Sequence, residues 1–173
     1  MRIIFVFTLI LSGYVVCGSK NPNFKNEEKI VSVLHDYFIS VDKKDFESML
    51  RYVTIPLNLH FDAERVMTVE SNQDFKILFD NWKKSSKSKF HSTKITSIKV
   101  EPTWMVDDLL AVADVTYDRL DTEGKIIRTE RTLYHFIRGS GYYSSPLKFM
   151  WIFFTRWMSK WKIYMISNIE VEN

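Results

Sequence analysis

Apolar residues in the first half of the chain recur at helical spacing. Ile30, Val31, Val33, Leu34, Tyr37, Phe38 and Val41 make one broad stripe, which predicts a helix over Glu27–Val41. Asp42 is placed to cap a shorter helix over Lys43–Tyr52, with Phe46, Met49 and Leu50 turned inward. Pro56 ends that helix. Leu57, Leu59 and Phe61 then alternate with Asn58, His60 and Asp62, the pattern of a brief edge strand. A third helix opens at Ser71-Asn72-Gln73-Asp74, a capping box with Asp where Glu or Gln is usual. Phe75, Leu78, Phe79 and Trp82 form its apolar face. The polar run Lys83–Lys89 closes it, and its lysines read either as a solvated turn or as an anion site.

From His91 onward the period changes to two. Ile95–Val100 is predicted as a strand with mixed faces, and Asp108–Asp118 as a second. In the second, Ala111, Ala113, Val115 and Tyr117 share one face, while Leu110, Val112, Asp114 and Thr116 share the other. Asp121-Thr122-Glu123-Gly124 is a turn in which Gly124 supplies a positive φ. Ile126–Arg138 is its long partner strand. Gly139-Ser140-Gly141 turns the chain, and Trp161–Val171 reads as the last strand. Helices first and hairpin-paired strands afterwards predict an α+β domain, with helices packed on one face of a curved antiparallel sheet.

A length of 173 residues suits one domain with a real core. The formal charge of +3 is small and mixed in sign, which argues against a nucleic-acid partner. The first residues change the picture more. Arg2, the apolar run Ile3–Leu11 and the smaller residues after it follow the order of a secretory signal peptide over 1–18, cleaved after Gly18. A short membrane anchor, a buried N-terminal strand and lipid attachment at Cys17 are competing readings. Ile3–Cys17 is shorter than the roughly 20 residues that span a bilayer. Residues 19–26 are a polar lead-in, and the mature protein is expected to be secreted or periplasmic. Cys17 is the only cysteine, so its removal with the signal excludes disulfides, cysteine nucleophiles and thiolate metal sites.

The chain resembles the nuclear-transport-factor-2-like (NTF2-like) superfamily, in particular its SnoaL-like members, over about residues 27–171. The likeness is carried by IVSVLHDYFISVDKKDFESML at 30–50, SNQDFKILFDNW at 71–82, LLAVADVTYDRLDTEGKIIRTERTLYHFIR at 109–138 and WKIYMIS at 161–167. These are periodicity patterns rather than chemical signatures. The resemblance implies a cone: a strongly bent antiparallel sheet around N-terminal helices, with a pocket at its open end. It also implies isomerases, dehydratases and cyclases among its members, together with binding and association domains, and dimers formed through the sheet. The family's last hairpin is short, whereas here an aromatic, basic stretch near 142–160 intervenes. It reads as an elongated hairpin, as a surface helix touching lipid or a partner through Phe149–Trp157, or as a gene-model error.

Candidate chemistry is thin. Asp114, His135, Asp62 and His60 are the groups that would serve as pocket acids or bases, and Tyr52, Arg131 and Tyr134 the ones that would hold a ligand. Asp114 stands in an otherwise apolar strand, where desolvation would favour its acid form if it points inward; an ion pair with Arg131 or Arg128 is the plainer account. Periodicity leaves open which face of 126–138 lines the pocket. No cofactor or metal is expected: His35, His60, His91 and His135 lack close ligand spacing, and there is no glycine-rich phosphate loop or serine elbow. The expected function is a secreted or periplasmic domain with a pocket for a small apolar ligand. The alternatives are a small isomerase, dehydratase or cyclase using Asp and His, and an association domain, such as a homodimer, acting through its sheet.

Overall fold

The computed structural model describes residues 26–61, 65–102, 109–139 and 160–169. The signal peptide expected over 1–18, the lead-in up to residue 25, Asp62 and the aromatic insertion with Phe149–Trp157 lie outside the described residues. The elements run α1 (Glu27–Asp42), α2 (Phe46–Leu50), β1 (Val53–His60), β2 (Val66–Val69), α3 (Asn72–Lys84), a 3-10 turn (Ser86–Ser88), β3 (Ser92–Pro102), β4 (Leu110–Leu120), β5 (Ile126–Arg138) and β6 (Trp161–Ile169). The strands form one sheet in the order β2-β1-β6-β5-β4-β3. It is α+β, as the pattern predicts, with one departure. β1 pairs with β6 in parallel, and every other described ladder is antiparallel, so the sheet is mixed.

The sheet curves where its ladders slip. Register shifts fall between Val53 and Asn58, Ile95 and Ser97, Arg119 and Leu120, and His135 and Phe136. Each extra residue bends its strand and strengthens the local twist. The concave face holds the core. From β4 come Ala111, Ala113, Val115 and Tyr117, from β5 Thr132, Tyr134 and Phe136, and from β6 Trp161 and Ile163. Small residues on β4 leave room for α1, whose Ile30, Leu34, Tyr37, Phe38 and Val41 lie buried against them. Phe38 meets Tyr117 edge-on at 4.9 Å and Tyr134 at 5.8 Å. Such edge-to-face pairs are favoured by the ring quadrupoles.

Two local readings are corrected. Asp42 does not cap the second helix. Its carboxylate accepts the backbone N–H of Thr93 at 2.9 Å and the Thr93 hydroxyl, tying the end of α1 to β3. Asp45 is the cap instead, accepting from the Ser48 N–H at 3.1 Å and its hydroxyl at 2.7 Å, so α2 starts later and is shorter than expected. The change is forced by Lys44, which takes a left-handed φ of 54° and breaks the helical path between the two aspartates. Pro56 likewise does not stop a helix but lies inside β1, within the gap in the β1–β6 register, where its missing N–H removes no ladder bond. Ser71 caps α3 as predicted, accepting from the Asp74 N–H at 3.1 Å and donating its hydroxyl to the Asp74 carboxylate at 2.6 Å. Gly124 has its expected positive φ, with the Asp121 carboxylate accepting from the N–H groups of Glu123 and Lys125.

The burial pattern makes a direct forecast. Phe136 is fully buried on the concave face of β5, so Phe136→Ala should cost about 3–5 kcal/mol in urea unfolding. Ile126, at the exposed start of the same strand, should lose less than about 0.5 kcal/mol on the same change. Similar costs at the two positions would contradict the difference in burial along the strand.

Candidate functional site

A cavity of about 550 Å³ lies between the helices and the concave face of the sheet. One wall is apolar: Met49 of α2, Leu57 and Leu59 of β1, Phe61, and Phe75, Leu78, Phe79 and Trp82 of α3. It follows from the helical spacing of α3, which turns these side chains to one side, and from alternation along β1. The opposite wall comes from the concave faces of β4 and β5 and is polar: Tyr117, Arg119, Arg128, Glu130, Thr132 and Tyr134, joined by Tyr37 of α1 and Asn168 of β6.

The polar wall is a bonded network built around Arg119. Its side chain is only 8% exposed. Its Nε donates to Glu130 at 3.2 Å and an Nη donates to the Thr93 hydroxyl, while Asp42 stands 3.7 Å away. The rings of Phe90 and Tyr117 lie 4.2 and 4.6 Å from the guanidinium carbon, within cation–π range. Glu130 is held from a second side by Arg128, whose Nε donates at 2.6 Å. Burial opposes the Glu130 charge, but Arg119 and Arg128 prevail and hold its carboxyl below the usual glutamate value. Deeper in, the Tyr117 and Thr132 hydroxyls share a hydrogen bond of 3.1 Å, and Thr132 donates to Asn168 at 3.2 Å. Tyr37, Tyr117 and Tyr134 all have their phenols pushed upward, first by burial and, for Tyr37 and Tyr134, then by the neighbouring tyrosine Tyr117.

The structure separates the residues that sequence reading grouped. Tyr134 and Glu130 belong to the inward face of β5; Arg131 also borders the cavity, although its guanidinium is paired with Asp114, and His135 alternates to the outside. Asp114 is also on the outer face and forms a two-pronged ion pair with Arg131 at 2.9 and 2.6 Å, which, with burial opposing, holds its carboxyl below the usual value. His135 and His60 share that outer face across the sheet. Burial first, and then His60, pulls the His135 imidazole below its usual value. Tyr52 packs against the core from the end of α2 rather than lining the cavity. Among the described residues, no three His, Cys, Asp or Glu side chains gather as metal ligands. Arg119, Glu130 and Tyr117 escaped the reading as site residues. The signal was present for Arg119: alternation carries the Ala111, Ala113, Val115, Tyr117 face one step further onto a charge.

No family model and no curated protein matches the chain. Solved structures do. A Nostoc punctiforme protein of unknown function with a cystatin-like fold aligns with a TM-score of 0.57 at 10% identity, over 83% of this chain and 90% of that one. An NTF2-like protein with a cystatin-like fold from Novosphingobium aromaticivorans aligns with a TM-score of 0.53 at 12% identity, over 86% and 84%. A candidate calcium/calmodulin-dependent protein kinase II association domain from Xanthomonas campestris aligns at 0.53 and 13% identity, over 83% and 86%. The fold is therefore the NTF2-like, cystatin-like one, as the resemblance implies.

The network makes a pH-dependent forecast. Because Glu130 binds its proton more weakly in the folded chain than at the usual 4.5, its stabilisation is complete above that value and fades as pH falls through the lowered folded one. Stability measured by urea unfolding should thus rise with pH across this acidic window. Glu130→Gln, which breaks two guanidinium contacts, should flatten that rise more than Asp114→Asn, whose single partner Arg131 is about half exposed. A larger effect from Asp114→Asn would reject the network as the dominant charge cluster.

Proposed function

We propose that this chain is a small-molecule-binding domain of the SnoaL-like kind, exported to a secreted or periplasmic location by its N-terminal segment. The observation that carries the binding reading is the chemistry of the cavity wall. Among the described lining residues, Glu130 is the single carboxylate and histidine is absent. Proton transfer needs a group that exchanges near neutral pH. Glu130 is held ionised between two guanidiniums, and the three phenols are held protonated. Such a wall offers fixed hydrogen-bond donors opposite an apolar surface, which suits recognition better than isomerase or dehydratase chemistry. The volume falls in the usual range for small-molecule sites. Export rests on the order of Arg2, the apolar run Ile3–Leu11 and the smaller residues that follow.

Phenylnaphthylamine, a neutral apolar dye, should brighten on binding the cavity. Leu78→Trp, which fills space beside α3, should weaken that binding about tenfold or more, the scale of one or two displaced apolar groups. Dye binding that is absent, or unchanged by Leu78→Trp, would refute the pocket reading.

A second reading is supported by the outer sheet face. Leu110 faces Ile137, Val112 faces His135 and His135 faces Met165, so half-buried, mostly apolar side chains spread across three strands around His135, with Leu133 on the same face. Such a patch on a sheet suits association with a second copy. Sedimentation velocity should then show a dimer that Leu133→Arg converts to monomer. A wild-type chain that stays monomeric at high concentration would remove this reading.

A further inference from the structure

We infer that the cavity selects an amphipathic anion: a molecule with an apolar body and one acidic group, such as a carboxylate or sulfonate. This rests on the pocket reading above and adds the ligand's charge and orientation. The inward face of β5 carries Arg128, Glu130, Thr132, Tyr134 and Phe136 in order. Along this one strand the wall passes from charged at Arg128 and Glu130 to hydroxyl-bearing at Thr132 and Tyr134, and Phe136 continues the face into the core. Phe136 and Tyr134 are buried at the inner end, while Arg128 keeps 27% of its side chain exposed at the outer one. A ligand lying along β5 against α3 meets apolar surface inside and charge at the mouth.

The sign of that charge is positive. Arg65, Arg119 and Arg128 line the cavity, and the guanidinium carbons of Arg119 and Arg128 lie 4.2 and 5.8 Å from the ring centre of Phe90. Lys87 adds a further cation on the cavity lining. Asp42 and Glu130 are the carboxylates bonded into this group, and both oxygens of each are engaged: Asp42 by Thr93 and Glu130 by Arg119 and Arg128. Both carboxylates are thus already neutralised or tied down by protein donors, which weakens their pull on a cationic ligand. Arg119 is spent on protein partners, but Arg128 is not saturated. Its Nε goes to Glu130 and one terminal nitrogen donates to the Lys87 carbonyl, which leaves N–H donors of its five at the partly exposed edge. The Lys87 side chain, exposed beside it, has a compact charge and no ion pair among the described residues. A charge-assisted hydrogen bond at such a partly desolvated mouth is stronger than a neutral one.

The test compares two dyes with the same apolar body. Anilinonaphthalene sulfonate carries an acidic group and phenylnaphthylamine does not. The wild-type protein should bind the sulfonate about tenfold or more tightly than the neutral dye, and added salt should narrow that gap. Arg128→Gln should remove most of the difference, weakening the sulfonate far more than phenylnaphthylamine. Lys87→Gln, which leaves the Glu130 network untouched, should remove part of it and so guards against a folding defect in the first variant. Equal affinities for the two dyes, or a preference for the sulfonate that survives both substitutions, would overturn the inference while leaving the pocket itself intact. Binding of neither dye would overturn the inference together with the pocket reading.

Discussion

The structure hangs on a guanidinium withdrawn from water. Arg119 lies on the concave side of the sheet, where alternation along β4 would otherwise place another apolar residue. A buried cation is tolerated only when its charge and its N–H groups are met. Meeting them requires the Asp42 carboxylate from the end of α1, the Thr93 hydroxyl from β3, Glu130 from β5 and the faces of Phe90 and Tyr117. One side chain therefore draws the helix layer and three strands to a common point. It also decides what the cavity wall is made of, because Glu130 is fixed as an ionised group by the same contact. A merely apolar cone would lack both the clamp and the polar wall.

The alternation of β5 separates two kinds of chemistry by a single residue step. Its inward side supplies the cavity's gradient from charged to hydroxyl-bearing side chains. Its outward side supplies Arg131, Leu133 and His135 to a face shared with Asp114 and His60. The ion pair between Asp114 and Arg131 stabilises that outer face modestly, since Arg131 remains about half exposed. The network within is less exposed and more connected, so removal of one member leaves another charge unmet. The cavity and the outer patch thus sit back to back on one sheet, so a substitution can change one without the other.

Much of this was legible from residue patterns. Helical spacing identified α1 and α3, the Ser71–Asp74 cap placed the start of α3, and period-two runs identified β4 and β5. The α+β class followed from these patterns, and the cone from the family resemblance. Pairing partners were harder to read. β2 is short and mostly exposed, and the parallel contact of β1 with β6 joins segments far apart in the chain, for which local periodicity holds no information. The site was least legible. A strand with polar residues on both faces, such as Thr129–Ile137, does not reveal which face is inward until its neighbours are placed. Asp114 drew notice as a charge among apolar residues but faces outward to Arg131. Arg119 was not singled out and is the buried centre. Asp42 looked like a cap and is a cross-link to β3.

The central claim is that Arg119 and Glu130 act as one unit. A double-mutant cycle of Arg119→Met and Glu130→Gln, read as urea unfolding free energy at neutral pH, tests it most directly. Each single variant leaves a polar partner unmet, and the double variant relieves part of that loss. The account predicts a coupling energy of at least about 1 kcal/mol between the two positions. Costs that add to within about 0.3–0.5 kcal/mol, as for independent sites, would contradict it.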